Sequence, residues 1–230
     1  MRLKPDLRLA VFDVDGTLVD SRRSIQASSD AAFRHLGRPP PPYEALRQTI
    51  GLSLSEGLAL LAPDLSPEEL AALLAFYKAY FSELHQDPAW RDPLYAGAAE
   101  LLDGLKGAAW KIAMATGQSR RGVERALRVH AWADIFDSTH CADDGPGKPH
   151  PSMLLEAMRA LGAGPAGTIM IGDTAHDIRM ARAAEVRSIG VTWGFHTRAE
   201  IEAAGADVIC DTFAELAQIL DDFGLDSPVA

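Results

Sequence analysis

The sequence of 230 residues predicts an α/β fold in which helices cover both faces of a parallel sheet. Short apolar runs rich in Ile, Val or Met recur along the chain and end in Gly, Asp or Thr. Helical stretches separate these runs, and strands that alternate with helices favour a parallel sheet. One long helical stretch follows the first run and interrupts the alternation. The polar residues that end the strands are therefore expected to meet at one edge of the sheet.

The predicted strands and helices describe a Rossmann-like sheet core. The strands are 9–12, 110–117, 168–174, 187–194 and 206–211, with a further candidate at 135–138. The helices that separate or follow them are 98–105, 122–129, 151–161, 177–184, 198–203 and 213–223. In sheets of this kind ligands bind beyond the carboxyl ends of the strands, so we expect the functional site there.

Residues 21–92 break that rhythm because their pattern is nearly all helical. Ser66 is a typical helix start, with Pro67 at the first helical position and the acids Glu68 and Glu69 in the first turn. A helical block inserted directly after the first strand predicts a cap domain over the carboxyl edge of the sheet. We therefore predict a core formed by residues 1–20 and 93–230 and a helical cap formed by residues 21–92.

The composition argues against some classes of partner. The net charge is −10 and the isoelectric point is near 5.1, which argues against nucleic acid or anionic membrane as the main partner. An anionic substrate is still compatible with this charge, because a bound cation can reverse the sign locally. Cys141 and Cys210 are far apart and predict two buried, reduced thiols. No apolar run approaches the length of a membrane span, so we expect a cytoplasmic protein. We also expect a monomer or a homodimer.

The segment VFDVDGTLVD, residues 11–20, places Asp13 and Asp15 directly after an apolar strand. Two carboxylates so close together repel each other. Mg²⁺ prefers carboxylate, carbonyl and water oxygens, so a bound Mg²⁺ would offset the repulsion. Gly16 allows the chain to turn sharply after the strand, and we expect the side chain of Thr17 to brace that turn.

Four motifs lie at predicted strand ends or in adjoining loops. They are DVDGT (13–17), ATG (115–117), KPHP (148–151) and GDTAHD (172–177). In this order and at these positions they resemble the motifs of the haloacid dehalogenase superfamily, and the resemblance covers essentially the whole chain. The helical insert resembles the C1 cap of that family, and the chain looks most like phosphoglycolate phosphatases. The resemblance implies Mg²⁺-dependent hydrolysis of a small phosphorylated metabolite.

The resemblance also implies a role for each acid. Asp13 would be the nucleophile that forms an aspartyl-phosphate, and Asp15 would be the general acid and then the general base. Asp13 and Asp173 would bind Mg²⁺ together with the main-chain carbonyl of Asp15. Asp177 would hold a metal-bound water or Lys148 from outside the first ligand sphere. From the residues alone, Asp177 is also compatible with an ordinary acid at a helix start.

The remaining motif residues would bind the phosphoryl group. Thr116 would donate a hydrogen bond to a phosphoryl oxygen, and the backbone N–H groups of the following turn, beginning at Gly117, would assist. Gly117 departs from the Asn or Ser that many relatives carry there. Lys148 would neutralise both Asp13 and the phosphoryl group. An ordinary turn residue at Thr116 and a solvated loop at Lys148 are the simpler alternatives.

The segment RQTIGLSLSEGL, residues 47–58, resembles the substrate-facing part of the cap in phosphoglycolate phosphatase relatives. Gly51 would let this segment bend towards Asp13. Arg47 could then donate a planar, bidentate pair of hydrogen bonds to a substrate carboxylate. The alternative is that Arg47 is a surface residue of a cap helix.

Two other functions are compatible with parts of this pattern. A phosphosugar mutase or a phosphonate hydrolase on the same scaffold would need a second acid–base pair or an amine that forms a Schiff base. Lys78 is the only lysine in the predicted cap, and nothing around it in the sequence favours that chemistry. A receiver-like signalling module also uses an aspartate around Mg²⁺. The chain length, the helical insert and the presence of Asp15 argue against that module.

Overall fold

The computed structural model describes residues 7–223, and these form six strands and ten helices. All of the strands are parallel, in the order β3-β2-β1-β4-β5-β6, so the predicted α/β class is confirmed. The strands are Leu9–Phe12 (β1), Lys111–Thr116 (β2), Ser138–Cys141 (β3), Thr168–Gly172 (β4), Arg187–Val191 (β5) and Val208–Cys210 (β6).

The first strand lies at the point where the strand order reverses. β2 pairs with one side of β1 and β4 pairs with the other, so Phe12 lies level with Met114 and Ile171. The backbone N–H of Asp13 still donates to the carbonyl of Ile171 at 2.9 Å. A crevice opens at such a reversal, because the connections from the neighbouring strands leave in opposite directions. Asp13 therefore leaves the sheet at the floor of that crevice.

The helices begin and end close to where the sequence pattern puts them. They are Arg22–His35 (α1), Tyr43–Arg47 (α2), Leu54–Leu61 (α3), Pro67–Leu84 (α4), Ala98–Gly107 (α5), Arg120–Val129 (α6), Ser152–Leu161 (α7), Ala175–Ala183 (α8), Arg198–Ala204 (α9) and Phe213–Asp222 (α10). The predicted start of α4 is confirmed, since Ser66 and Glu69 form a reciprocal capping box. No helix in the described residues is long and apolar enough to cross a membrane.

Alternate residues of the central strands build two apolar layers, one on each face of the sheet. Phe12 and Met114 point into a layer covered by α5, α6 and α10. Val11 and Met170 point into the opposite layer, covered by α7 and α8. Because both faces of the sheet are buried, β1 and β4 are continuous apolar runs and do not alternate between apolar and polar residues.

Residues 21–92 form a helical layer of their own. Phe33 of α1, Leu58 of α3 and Leu73 of α4 belong to a third apolar cluster, distinct from the two layers on the sheet. This packing is consistent with a separate cap. The division into a cap (21–92) and a core (1–20 and 93–230) stays a prediction, and residues 1–6 and 224–230 lie outside the described residues.

The strand expected at 135–138 is wrong in position, because β3 begins only at Ser138. Ile135 and Phe136 belong to a tight turn that folds back on Trp132, and the rings of Phe136 and Trp132 lie 5.4 Å apart. The apolar run therefore packs against the sheet through this turn. The strand that follows is the polar edge segment 138–141, which carries little apolar signal.

Arg47 links α2 of the helical layer to α9 of the core. Its guanidinium donates two hydrogen bonds to Glu200, at 2.8 and 3.0 Å, and one to the carbonyl of Phe195 at 3.2 Å. Its Nε donates to Glu44 at 2.7 Å. Arg47 is only 8% exposed, and its hydrogen bonds lower the pKa of the Glu200 carboxyl below its usual value. This charged contact helps to hold the helical layer on the sheet core.

We expect Arg47→Met to lower the free energy of unfolding by about 1–3 kcal/mol, because it removes charge-assisted hydrogen bonds from a buried guanidinium. Glu200→Gln removes the negative charge of the carboxylate that accepts two of these hydrogen bonds. The double variant should therefore show a coupling energy of about 1 kcal/mol in urea denaturation of the four proteins. Additive effects, equal to within about 0.3–0.5 kcal/mol, would contradict a direct interaction between the two side chains.

Candidate active site

Four loops bring polar side chains together at the carboxyl edge of the sheet. Asp13 follows β1, Thr116 ends β2, and Asp173 follows β4. Lys148 comes from the loop before α7, and Asp177 lies in the first turn of α8. All five side chains are buried. The convergence that parallel strands predict at this edge is thus present in the structure.

Lys148 lies between two carboxylates in the interior. Its Nζ is 2.6 Å from Asp13 Oδ1 and 2.6 Å from Asp177 Oδ1. Burial by itself would lower the pKa of this ammonium, but the two carboxylates outweigh that effect and raise the pKa above its usual value. Lys148 is therefore positively charged throughout the physiological range, and it is part of the buried site rather than of a solvated loop.

Asp173 is fixed by two donors from other segments. The hydroxyl of Thr17 donates to its Oδ1 at 2.8 Å, and the backbone N–H of Phe195 donates to its Oδ2 at 2.7 Å. Thr17 therefore braces the turn after β1 by bonding to the end of β4. Burial, and then the neighbouring charge of Asp177, raise the pKa of Asp173 to about 7. A side chain at Gly16, which has φ +88°, would overlap the Asp173 carboxylate.

Asp177 is both an acid at a helix start and a partner of Lys148, the two alternatives that the sequence left open. Its Oδ2 accepts from the backbone N–H of Thr174 at 3.1 Å and from the Thr174 hydroxyl at 2.6 Å, which caps α8. Its Oδ1 faces Lys148 instead. One oxygen thus starts the helix and the other lies in the site, so the side chain cannot rotate without losing both contacts.

The three buried carboxylates fit a hard divalent cation. Ligand oxygens of Asp13, Asp173 and Asp177 all lie within 4.8 Å of one another. Three carboxylates against the single ammonium of Lys148 leave two negative charges uncompensated when all are ionised. Burial and this crowding raise the pKa of Asp13 well above its usual value. Within residues 7–223, Asp13 Oδ2 has no hydrogen-bond partner although it is buried, which a cation would remedy.

Asp15 lies apart from that cluster and faces the cavity above it. Its Oδ2 accepts a hydrogen bond from the amide of Gln118 at 2.7 Å. Burial raises the pKa of its carboxyl, and the Gln118 bond partly opposes that rise. The side chain of Asp15 is not one of the three clustered acids, so the predicted metal contact rests on its main-chain carbonyl and stays a prediction.

Thr116 and Gly117 lie where β2 reaches the helical layer. The hydroxyl of Thr116 is buried and accepts from the backbone N–H of Gln118 at 3.2 Å. A Cβ at Gly117 would overlap the carbonyl oxygen of Leu52 and crowd that of Gly51. Glycine at position 117 therefore allows the turn after Gly51 to approach the strand end closely. A contact between Gly117 and a substrate stays a prediction.

The structure does not bring Arg47 to this site. Gly51 has φ +96° and lines the same cavity as Asp13, so the segment does bend over the strand ends. Arg47 lies at the other end of the turn and is not among the residues that line the cavity. Its guanidinium is already satisfied by Glu44 and Glu200, because α9 is packed directly against it. Here it has no N–H directed at the cavity.

A cavity of about 950 Å³ separates the strand ends from the helical layer. Asp13 and Asp15 form its floor, and Tyr77 and Phe81 of α4 contribute to its wall. Gln118 and Arg125 also line it, from the segment after β2 and from α6. The sequence analysis did not single out these wall residues. Only the spacing of Tyr77 and Phe81, four residues apart on one helix face, could have indicated them.

The comparisons with known proteins agree with the geometry. The family model described as haloacid dehalogenase-like hydrolase matches residues 10–191. A relative from Dickeya dadantii, "Probable phosphatase IndB", is 40% identical over 212 residues, which are 90% of this chain and 91% of that protein. A phosphoglycolate phosphatase from Vibrio vulnificus is 30% identical over 225 residues, covering 94% and 96%.

A solved structure shares the whole fold. The crystal structure of a hydrolase from Pseudomonas syringae superposes with a TM-score of 0.82 at 26% identity, covering 94% of this chain and 98% of that one. The family match spans β1 to β5 and therefore includes the helical layer and all of the clustered acids. The chain is thus a member of the haloacid dehalogenase-like hydrolase family, similar to its phosphoglycolate phosphatases.

Proposed function

We propose that the protein is a Mg²⁺-dependent phosphatase that hydrolyses a phosphorylated small molecule through an aspartyl-phosphate on Asp13. The observation that carries this proposal is the arrangement of the Asp13 carboxylate. Lys148 holds its Oδ1 at 2.6 Å, while its Oδ2 is buried and has no partner in the described part of the chain. Lys148 therefore orients the carboxylate for in-line attack on phosphorus, and the unpartnered Oδ2 is the oxygen available to the proposed Mg²⁺.

Lys148 keeps Asp13 reactive in the interior. Burial favours the protonated, unreactive form of Asp13, and the ammonium at 2.6 Å favours the ionised form. The same ammonium would offset part of the charge of a phosphoryl group bound at Asp13. It therefore lowers the repulsion between nucleophile and substrate as well as the pKa of the nucleophile.

Asp15 is the proposed proton donor. It lies two residues beyond Asp13 and faces the cavity in which the leaving group would sit. Its raised pKa favours the protonated state that a general acid requires. After the leaving group has departed, the same carboxylate would accept a proton from water, and that water would hydrolyse the aspartyl-phosphate. The Gln118 amide holds the side chain in place for both steps.

Asp13, Asp173 and the main-chain carbonyl of Asp15 are the proposed ligands of Mg²⁺, with Asp177 nearby. When bound, Mg²⁺ would neutralise charge on the carboxylates and on the phosphoryl oxygens. The hydrogen bonds from Thr17 and Phe195 orient Asp173 for this task. Thr116, at the end of β2, would donate its hydroxyl proton to a phosphoryl oxygen.

The related proteins support hydrolysis of a phosphate ester, since both curated relatives are named as phosphatases. The alternative of phosphonate hydrolysis through a Schiff base is not favoured. Such a lysine is normally desolvated, whereas Lys78 lines the cavity with an exposed side chain. A cytoplasmic location and a monomeric or homodimeric state remain predictions from composition.

We expect Asp13→Asn to abolish turnover of any phosphate monoester that the wild type hydrolyses. The amide is nearly isosteric but is not a competent nucleophile, so the rate should fall by about three orders of magnitude or more. Release of inorganic phosphate is the measurement. Asp20→Asn, at a partly exposed acid outside the cluster, is the matched control and should retain activity. Residual activity above about a tenth in Asp13→Asn would remove Asp13 from its role.

We expect Mg²⁺ to raise the melting temperature of the protein, because it offsets the repulsion among the buried carboxylates. At free Mg²⁺ about 100-fold above Kd the gain is about 2.7 kcal/mol, or roughly 5–10 °C at about 2–4 °C per kcal/mol. Asp173→Asn should lose most of this shift, and Asp211→Asn, at an exposed acid, should keep it. An equal shift of the melting temperature in both variants would place the cation elsewhere.

Excess EDTA should abolish phosphatase activity in the wild type.

We expect Asp15→Asn to lower kcat far more than it changes KM for an alkyl phosphate, because poor leaving groups require protonation. With an activated aryl phosphate the first step needs no acid, so phosphoenzyme should accumulate and be detectable by mass spectrometry. Steady-state kinetics on both esters provide the comparison. An unchanged kcat on the alkyl ester would show that Asp15 is not the proton donor.

A further inference from the structure

The cavity is much larger than a two-carbon phosphate ester needs. Sites of about 300–1,000 Å³ bury drug-sized ligands, and the space above Asp13 and Asp15 is about 950 Å³. Beyond the acids, residues of α3, α4 and α6 line it. Phosphoglycolate would fill only the floor, so the upper part is available to a larger leaving group.

One wall of the cavity is aromatic. Tyr77, Phe81 and His85 follow one another along one face of α4 at intervals of four residues. The Tyr77 and Phe81 rings are 6.0 Å apart and nearly parallel, at 13°, and Phe81 and His85 are 4.3 Å apart. His85 is anchored by Asp92, whose Oδ2 lies 2.8 Å from Nε2. The three rings therefore form a row along the cavity wall, and we call it the aromatic wall.

Arg125 of α6 stands against this wall with its hydrogen-bonding groups free. Its guanidinium carbon lies 4.5 Å from the centre of the Phe81 ring. The side chain is half-buried, yet no carboxylate of residues 7–223 lies within 4 Å of it and it makes no hydrogen bond to them. By contrast, Arg47 and Arg120 are both paired with acids.

The half-buried position of Arg125 is unfavourable for the charged form of its guanidinium. Burial lowers the pKa of the guanidinium, and the more distant charges of Asp15 and Asp92 only partly oppose this. A cation–π contact with Phe81 satisfies the face of the guanidinium and leaves its N–H edge without acceptors. A half-buried donor edge of this kind, in a cavity and next to a general acid, is suited to bind oxygen acceptors on a ligand.

We propose that the leaving group of the substrate carries an aromatic or heteroaromatic ring with a carboxylate or carbonyl oxygen, and that Arg125 reads this oxygen while the ring packs on the aromatic wall. This assignment rests on the proposed phosphatase function and names the substrate class for the same site. Arg125 and the wall line the same cavity as Asp15, the proposed proton donor to the leaving group. Arg125 thus takes the role that the sequence assigned to Arg47.

The test compares benzyl phosphate, 4-carboxybenzyl phosphate and phosphoglycolate in the wild type, in Arg125→Met and in Phe81→Leu. Both benzyl esters have alkyl leaving groups, so they differ mainly in the distal carboxylate. We expect the wild type to have a kcat/KM for 4-carboxybenzyl phosphate at least tenfold above that for phosphoglycolate. Arg125→Met should reduce the ratio between the carboxylated and the plain benzyl ester about tenfold, the effect of one charge-assisted hydrogen bond.

Two further variants separate a specific contact from general effects. Phe81→Leu should lower kcat/KM for both benzyl esters and leave their ratio nearly unchanged, because it removes ring packing and not the charge. Arg159→Met, at an exposed arginine of α7 that does not line the cavity, is the matched control and should not change the ratio. Melting temperatures close to that of the wild type establish that each variant is folded.

The outcomes distinguish this inference from the function on which it rests. Phosphoglycolate as the best of the three esters, or a ratio unaffected by Arg125→Met, would overturn the inference while the phosphatase function stands. An equal loss in Arg159→Met would also overturn it, since the effect would then be a general loss of positive charge and not a contact in the cavity. Absence of any Asp13-dependent hydrolysis, with these or other phosphate monoesters, would overturn the proposed function itself.

Discussion

The buried contact of Lys148 with Asp13 and Asp177 is the interaction on which the site depends. It joins the loop before α7 to the ends of β1 and α8, three segments that are distant in sequence. Breaking such a buried pair leaves an uncompensated charge, which typically costs about 3–5 kcal/mol. The contact uses Asp13 Oδ1, and Oδ2 has no hydrogen-bond partner among residues 7–223. Stability and reactivity at this edge of the sheet are therefore coupled through one ammonium group.

The sheet supplies the rigid frame for that contact. β1 is buried on both faces and hydrogen-bonded on both sides, so the position of Asp13 follows from the register of β1 with β2 and β4. The turn that follows is closed by Thr17, which reaches Asp173 after β4. Because Lys148 holds Asp13 and Thr17 holds Asp173, both from distant parts of the chain, the like charges are kept close together.

The helical layer decides what surrounds the reacting groups. Its turn at Gly51 lies close to Gly117, and Arg47 bonds to Glu200 on α9, so the layer contacts the core on two sides of the cavity. Between these contacts the aromatic wall and Arg125 remain open to a ligand. The floor of the cavity thus carries carboxylates, whereas Tyr77 and Phe81 give one of its walls an aromatic surface.

The sequence by itself determined the α/β class, the order of the elements and the acids, threonine and lysine that gather at the strand ends. These features are local, since each motif follows an apolar run and parallel strands bring their carboxyl ends together. The tertiary structure decided which long side chains meet across the cavity. Arg47 pairs with Glu200 and Arg125 stacks on Phe81 because of how the helices pack together. No local sequence pattern predicts that packing. The polar strand β3 was misplaced for a related reason, because its pairing with β2, and not its own apolarity, makes it a strand.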